Sequence, residues 1–324
     1  MTNRTLRPLG LGDIFDEAFD LYKDNFLFLV LVTTVAAVPL RVAETVLEFR
    51  FLRGFHGLAS VFGSDTPDIT QVFAVFGSIA GALAVLAPLY AVGLGLQLSA
   101  LAGATSARYL GTPSTLRDAY RVPLRRVGPL ALSALLFGVF SALGACLCYI
   151  GMALPLTLLA FTAHAFAVEE QGTWRFWRPL GRSRSLVSGQ GGRVFGALCM
   201  MGIVYMIVGI GIHLPLAYAL RTLLDAVPNG QAVIGAQAGS RGVGQEAQII
   251  DQITSGIADL VVLPFMVCVL TVLYYDLRVR KEAFDMEMLA RDLHYPVLPW
   301  IAPVPQKPPR GAGRKSAAVK GVSP

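Results

Sequence analysis

Residues Val127 to Val168 contain no Asp, Glu, Lys or Arg, a run of 42 positions. A bilayer core is crossed by about 20 residues of α-helix, and a helix satisfies its own backbone hydrogen bonds where no water can. This run therefore predicts two crossings joined by a tight hairpin near Tyr149-Ile150-Gly151. Val194 to Leu220 is a second uncharged stretch, and Ile249 to Tyr275 is apolar apart from Asp251, Gln252 and Asp259. Phe26 to Leu40 is apolar and continues past Arg41 and Glu44, an i,i+3 pair expected at the headgroups. Ile69 to Ala107 holds 39 uncharged residues, about 58 Å as a straight helix and twice the hydrocarbon thickness. It is read as one span, kinked at Pro88, with its first part at the interface. The expected fold is all-α: a polytopic transmembrane helical bundle of six spans plus interfacial amphipathic helices.

Charge distribution sets the orientation. Only 15% of the 324 residues are charged and 54% are hydrophobic, with a mean hydropathy of +0.59; soluble domains carry about 25% charge, so a soluble enzyme or binding domain is excluded. The net charge of +6 is assigned to membrane loops rather than to nucleic acid, because cytoplasmic loops collect Lys and Arg. From Arg108 to Arg126 there are five Arg and one acid, from Glu169 to Arg193 five Arg and two acids, and from Asp276 onward nine basic and five acidic residues. Arg41 to Asp68 has three Arg and four acids, and Arg221 to Asp251 two Arg and three acids. The alternation fits six spans with both termini cytoplasmic. Residues 1–26 are read as an N-terminal amphipathic cytoplasmic helix, 27–290 as the six-span domain, and 291–324 as a disordered Pro/Lys/Arg-rich tail. The N-terminus is too acidic for a signal peptide. Cys146, Cys148, Cys199 and Cys268 all lie in apolar runs and read as small buried hydrophobes.

An amphipathic segment precedes an apolar run three times. In Leu9 to Phe26, Asp13, Asp16, Glu17, Asp20 and Asp24 fall on one arc and the apolar residues on the other. Arg117, Arg121 and Arg125 form an i,i+4,i+8 stripe in the second segment; Arg175, Arg178 and Arg182 follow i,i+3,i+7 in the third. These arginines are candidates for anionic headgroups, each contributing about 1 kcal/mol near an anionic surface, or for docking the N-terminal acidic stripe. Arg193, after Gly189-Gln190-Gly191-Gly192, is a further headgroup candidate. The prolines at 39, 88, 155, 215 and 264 lie within or near spans, and Val227 to Gln248 reads as a mobile loop.

The sequence has no Gly-x-Ser-x-Gly, His-Glu-x-x-His or P-loop motif. No catalytic residue, cofactor or metal is assigned. Ionisable residues inside spans are functional candidates: His164, His213 and Asp259. A pair between Asp259 and His213 would suit a proton relay or a polar ligand, and underlies an alternative reading as a small proton-coupled transporter.

Arg7-Pro8-Leu9-Gly10-Leu11-Gly12-Asp13-Ile14-Phe15-Asp16-Glu17-Ala18-Phe19, the stretch Ala107 to Gly111 with Thr115 to Tyr120, Arg182 to Val187, and Tyr274-Tyr275-Asp276-Leu277-Arg278-Val279-Arg280-Lys281-Glu282 together resemble a family. It is that of bacterial six-span proteins labelled glycerophosphoryl diester phosphodiesterase membrane domain. The resemblance covers roughly residues 6–290 and implies a multi-pass protein of the bacterial inner membrane. It implies no activity, because the phosphodiesterase chemistry belongs to a separate catalytic barrel of some 200 or more residues. The expected function is a non-enzymatic scaffold or lipid-headgroup-binding protein, with membrane lipids and a membrane or cytoplasmic protein as partners and no nucleic acid.

Overall fold

The computed structural model describes residues 9–43, 69–146, 150–169, 177–226 and 243–282. Helices account for nearly all of them: α1 (Leu11–Asp24), α2 (Phe26–Ala43), α3 (Ile69–Tyr109), α4 (Leu116–Arg125), α5 (Val127–Cys146), α6 (Ile150–Leu159), α7 (Thr162–Val168), α8 (Trp177–Val187), α9 (Gly191–Ala226) and α10 (Val243–Glu282). No strand occurs among the described residues. Four helices are long and apolar enough to cross a membrane, at Phe26–Ala43, Ala87–Tyr109, Gly191–Leu223 and Ile250–Glu282; the bent pair α4–α5 brings the number to five. The Tyr149 hairpin, Glu44, Cys148, Arg175, the 227–242 part of the expected loop and the 291–324 tail lie outside the described residues.

Each amphipathic segment is a helix that breaks just before a longer apolar one. The breaks fall at Asn25, at Arg126 and at Ser188–Gln190. The Asn25 amide donates to Leu21 O at 3.0 Å, occupying a carbonyl at the end of α1. After α8, Gly189 takes a φ of +82°, which a residue without Cβ adopts freely. At Arg126 the chain turns 79° between α4 and α5. The start of α4 is fixed by a reciprocal cap: Thr115 Oγ1 accepts the Asp118 N–H, and Asp118 accepts the Thr115 N–H at 3.2 Å.

The Ile69–Tyr109 helix runs unbroken through Pro88. Proline is tolerated in such helices because neighbouring groups re-satisfy the freed carbonyl. At the break between α6 and α7 a side chain satisfies groups the helix ends leave open: the Ser183 hydroxyl of α8 donates to Leu158 O at 2.8 Å and accepts the Phe161 N–H at 3.1 Å.

The α10 helix is the central element. It packs against α9, α1, α3 and α8, and 56% of its apolar window is buried, against 11% for α9. Tyr274 and Tyr275 are fully buried; Tyr275 stacks on Tyr109 with centroids 5.3 Å apart, and Tyr274 on His164 at 5.6 Å. Thr271 Oγ1 lies 2.7 Å from Thr105 Oγ1 and 2.9 Å from His164 Nε2. These hydrogen bonds tie α3, α7 and α10 together in an apolar interior, where an unmade one would be costly. Ile14, Ala18 and Leu21 are buried, and α1 runs antiparallel along α10, from Leu9 at Asp276 to Tyr22, whose hydroxyl donates to Val261 O at 2.8 Å. Part of the apolar face of α1 is thus packed on the bundle, while Leu11 and Phe19 of the same helix remain exposed.

Candidate functional site

Two groups of polar residues lie along α10, one near its C-terminal end at Asp276 and one in its N-terminal half at Asp251 and Asp259. At the C-terminal end, Asp276 has no exposed side-chain surface. A buried carboxylate is tolerated only when its charge and lone pairs are matched, and here three donors converge on it. The Leu9 N–H donates to Oδ1 at 2.8 Å, Arg280 Nε donates to Oδ2 at 3.0 Å, and Arg193 Nη2 lies 3.2 Å from Oδ2. The same two guanidinium groups donate to Leu9 O, Arg280 at 2.8 Å. Beside this cluster, Glu169 Oε1 accepts Arg182 Nε at 2.6 Å and the Tyr274 hydroxyl at 2.9 Å, while Arg182 and Arg278 both reach Glu282. Burial works against the Arg182 charge, but the bonds to Glu282 and Glu169 outweigh it and hold the guanidinium more firmly protonated. Lys281 Nζ closes the set on Ser185 O, at 2.7 Å, and on Ser188 O.

These contacts correct two assignments. Arg182 and Arg193 are engaged within the protein and are not free for headgroups. Among the described residues, the exposed arginines at this end that lie outside the cluster are Arg117, Arg121 and Arg125 on α4 and Arg178 and Arg184 on α8. On α4 they lie opposite Ala119, Tyr120 and Pro123, which are buried. The Tyr120 hydroxyl donates to Val32 O at 2.6 Å and locks the helix onto α2.

The acidic stripe of α1 does not dock on these arginines. Asp13 accepts its own Gly10 N–H at 2.9 Å and Asp20 lies 4.0 Å from Lys23. Among the described residues none of Arg117, Arg121, Arg125, Arg178 and Arg182 forms an ion pair with Asp13, Asp16, Glu17, Asp20 or Asp24; Arg182 is paired with Glu169 and Glu282. The start of α1 is anchored instead through the Leu9 backbone, on Asp276, a residue that sequence reasoning placed in no site.

In the N-terminal half of α10, Asp259 and His213 do not meet. Asp259 pairs with Arg41 at 2.5 Å and accepts the Tyr205 hydroxyl at 2.6 Å. His213 lies eight positions beyond Tyr205, about 12 Å along α9, where its Nε2 is 3.0 Å from Asp251 and its Nδ1 2.9 Å from Thr254 Oγ1. Both residues bridge α9 and α10, but one rung apart. Arg41, expected at the headgroups with Glu44, turns inward to Asp259. Arg41, Asp259 and Tyr205 line a cavity of about 660 Å³ bounded by α2, α3, α9 and α10.

No metal-ligating cluster occurs among the described residues. No family model matches the chain, and no curated protein or solved structure matches it. Fold and site define the class: an all-helical protein with several helices fit to cross a membrane.

Proposed function

We propose that the protein is a six-span component of a bacterial inner membrane, with both termini cytoplasmic, that binds anionic lipid headgroups at its basic end and catalyses no reaction. The six spans of this reading are α2, α3, α5, the broken pair α6–α7, α9 and α10. The apolar stretch Ala153–Val168 is short, and its break at residues 160–161 is relieved by Ser183. The charge alternation of the loops supports the orientation. A protein partner at the same face fits the scaffold side of the reading.

The observation that carries it is the pose of α4. This helix meets α5 at 79°, so an α5 that crosses the bilayer leaves α4 close to the membrane plane. Ala119, Tyr120 and Pro123 are buried against the bundle, while Leu124 and the three arginines are exposed, the arrangement an anionic membrane surface attracts. The test is to purify the wild type and the Arg117→Gln, Arg121→Gln, Arg125→Gln triple variant from one membrane and quantify retained lipid. Enrichment of anionic lipid in the wild type that falls in the variant supports the reading. Equal enrichment in both defeats it.

A further inference from the structure

His213 has no task in headgroup binding, and it stands where α9 is held least. In the second half of that helix Met206, Ile207, Ile210, Leu214 and Tyr218 are exposed. Among the described residues, the hydrogen bonds that join this half to α10 are those of His213, to Asp251 and Thr254. How many hydrogens serve this contact depends on the charge of the ring. The buried Thr254 hydroxyl has one hydrogen, and its Oγ1 lies 2.8 Å from Ile250 O as well as 2.9 Å from His213 Nδ1. Asp251 Oδ1 lies 3.0 Å from Nε2, and an ionised carboxylate only accepts. With both ring nitrogens protonated, Nε2–H donates to Asp251 as an ion pair and Nδ1–H donates to Thr254, whose own hydrogen stays on Ile250 O. A neutral ring has a single N–H. If that hydrogen is on Nδ1, the bare Nε2 faces the carboxylate, acceptor against acceptor. If it is on Nε2, the Thr254 hydrogen must leave Ile250 O for Nδ1, and the bond to Asp251 loses the charge assistance that makes such bonds roughly twice as strong. Every neutral arrangement is weaker than the charged one.

We infer that His213 is a proton-operated latch: its charged form clamps the second half of α9 to α10 through Asp251 and Thr254, and loss of the proton releases that half. Histidine is the side chain whose charge ordinarily changes between pH 5 and 8, so the latch is closed at the acidic side of this window and loosened at the other. The His213 and Asp251 side chains are 22% and 61% exposed, so protons reach the pair. Other charges stand apart from it. Asp259 of α10 is two turns away and already holds Arg41 and the Tyr205 hydroxyl. The nearest charged residue on α9 itself is Arg221, eight positions on, about 12 Å along the helix. Packed on α9 as well, α6 has no ionisable residue in Ile150–Leu159.

The test uses the full chain with its own cysteines replaced by serine and spin labels at Leu214→Cys on α9 and Ile253→Cys on α10, both exposed positions. The distance between the labels is read by EPR at pH 5 and pH 8 in vesicles of neutral lipid, where headgroup attraction at the basic end plays no part. The expected result is one short distance at pH 5 and, at pH 8, a longer-distance population about tenfold larger than at pH 5, the scale of one charge-assisted hydrogen bond. With His213→Gln the distribution should be the same at both pH values. With Asp251→Asn the histidine remains but its ion pair is gone, and the response to pH should shrink. A wild-type distribution that is identical at pH 5 and pH 8 would overturn the inference whatever the variants do. So would a response that persists in full in His213→Gln, which would place the titrating group elsewhere.

Discussion

The Leu9 backbone N–H donates to the Asp276 carboxylate at 2.8 Å, joining positions 267 residues apart in a buried setting. Arg193 and Arg280 complete the cluster, so Leu9, just before α1, is held by the first turn of α9 and the last turns of α10. Asp276→Asn leaves two partly buried guanidinium groups without their counter-charge. Breaking one side of such a cluster costs about 3 kcal/mol or more. The variant is expected to melt well below the wild type in detergent, and its N-terminal segment should become cleavable by protease under native conditions.

The two rungs between α9 and α10 should act independently. A double-mutant cycle of His213→Ala with Asp259→Asn is expected to be additive within about 0.3–0.5 kcal/mol, the usual outcome for groups without shared partners. Arg41→Asp and Asp259→Arg should each destabilise the protein, and the two together should recover most of the loss. Strong coupling of His213 to Asp259 would revive the proton-relay arrangement.

Reversing charge along α1 provides a third check. Asp16→Lys with Asp20→Lys is expected to change stability little, because both side chains are exposed. Adding Arg117→Glu and Arg121→Glu should rescue nothing. A clear rescue would mean that the stripe and α4 meet after all.

The proposed topology places residue 239 and residue 316 on opposite sides of the membrane. Cysteines introduced at Gly239 and Ser316 should react with an impermeant reagent from opposite faces of intact cells and inverted vesicles. Reaction of both from one face would remove the six-span arrangement.

How much of the structure is legible in the sequence depends on the nature of each signal. Apolar run length is local, so the all-helical character and the helices long and apolar enough to cross a membrane are readable. Relative height between helices is not local. Asp259 and His213 match as a pair only because both sit in spans, yet the register of α9 against α10 puts Tyr205 opposite Asp259 and Asp251 opposite His213. Arg41 and Arg193 stand at span ends, where either water or a buried acid can receive an arginine. Only the fold tells which. Asp276 carries one overlooked hint, its i,i+4 spacing to Arg280 on a helix whose apolar run ends at Tyr275. The backbone of Leu9, its other partner, leaves no mark in a sequence.

Headgroup binding at the basic end is tested most directly by the depth of α4. A spin label at Arg121→Cys, in vesicles containing anionic lipid and with known orientation, reports its position by power-saturation EPR. The expected result is a label at the phosphate level of the cytoplasmic leaflet, moving outward when the anionic lipid is replaced by a neutral one. A label in bulk water at every lipid composition, or one on the outer face, would contradict it.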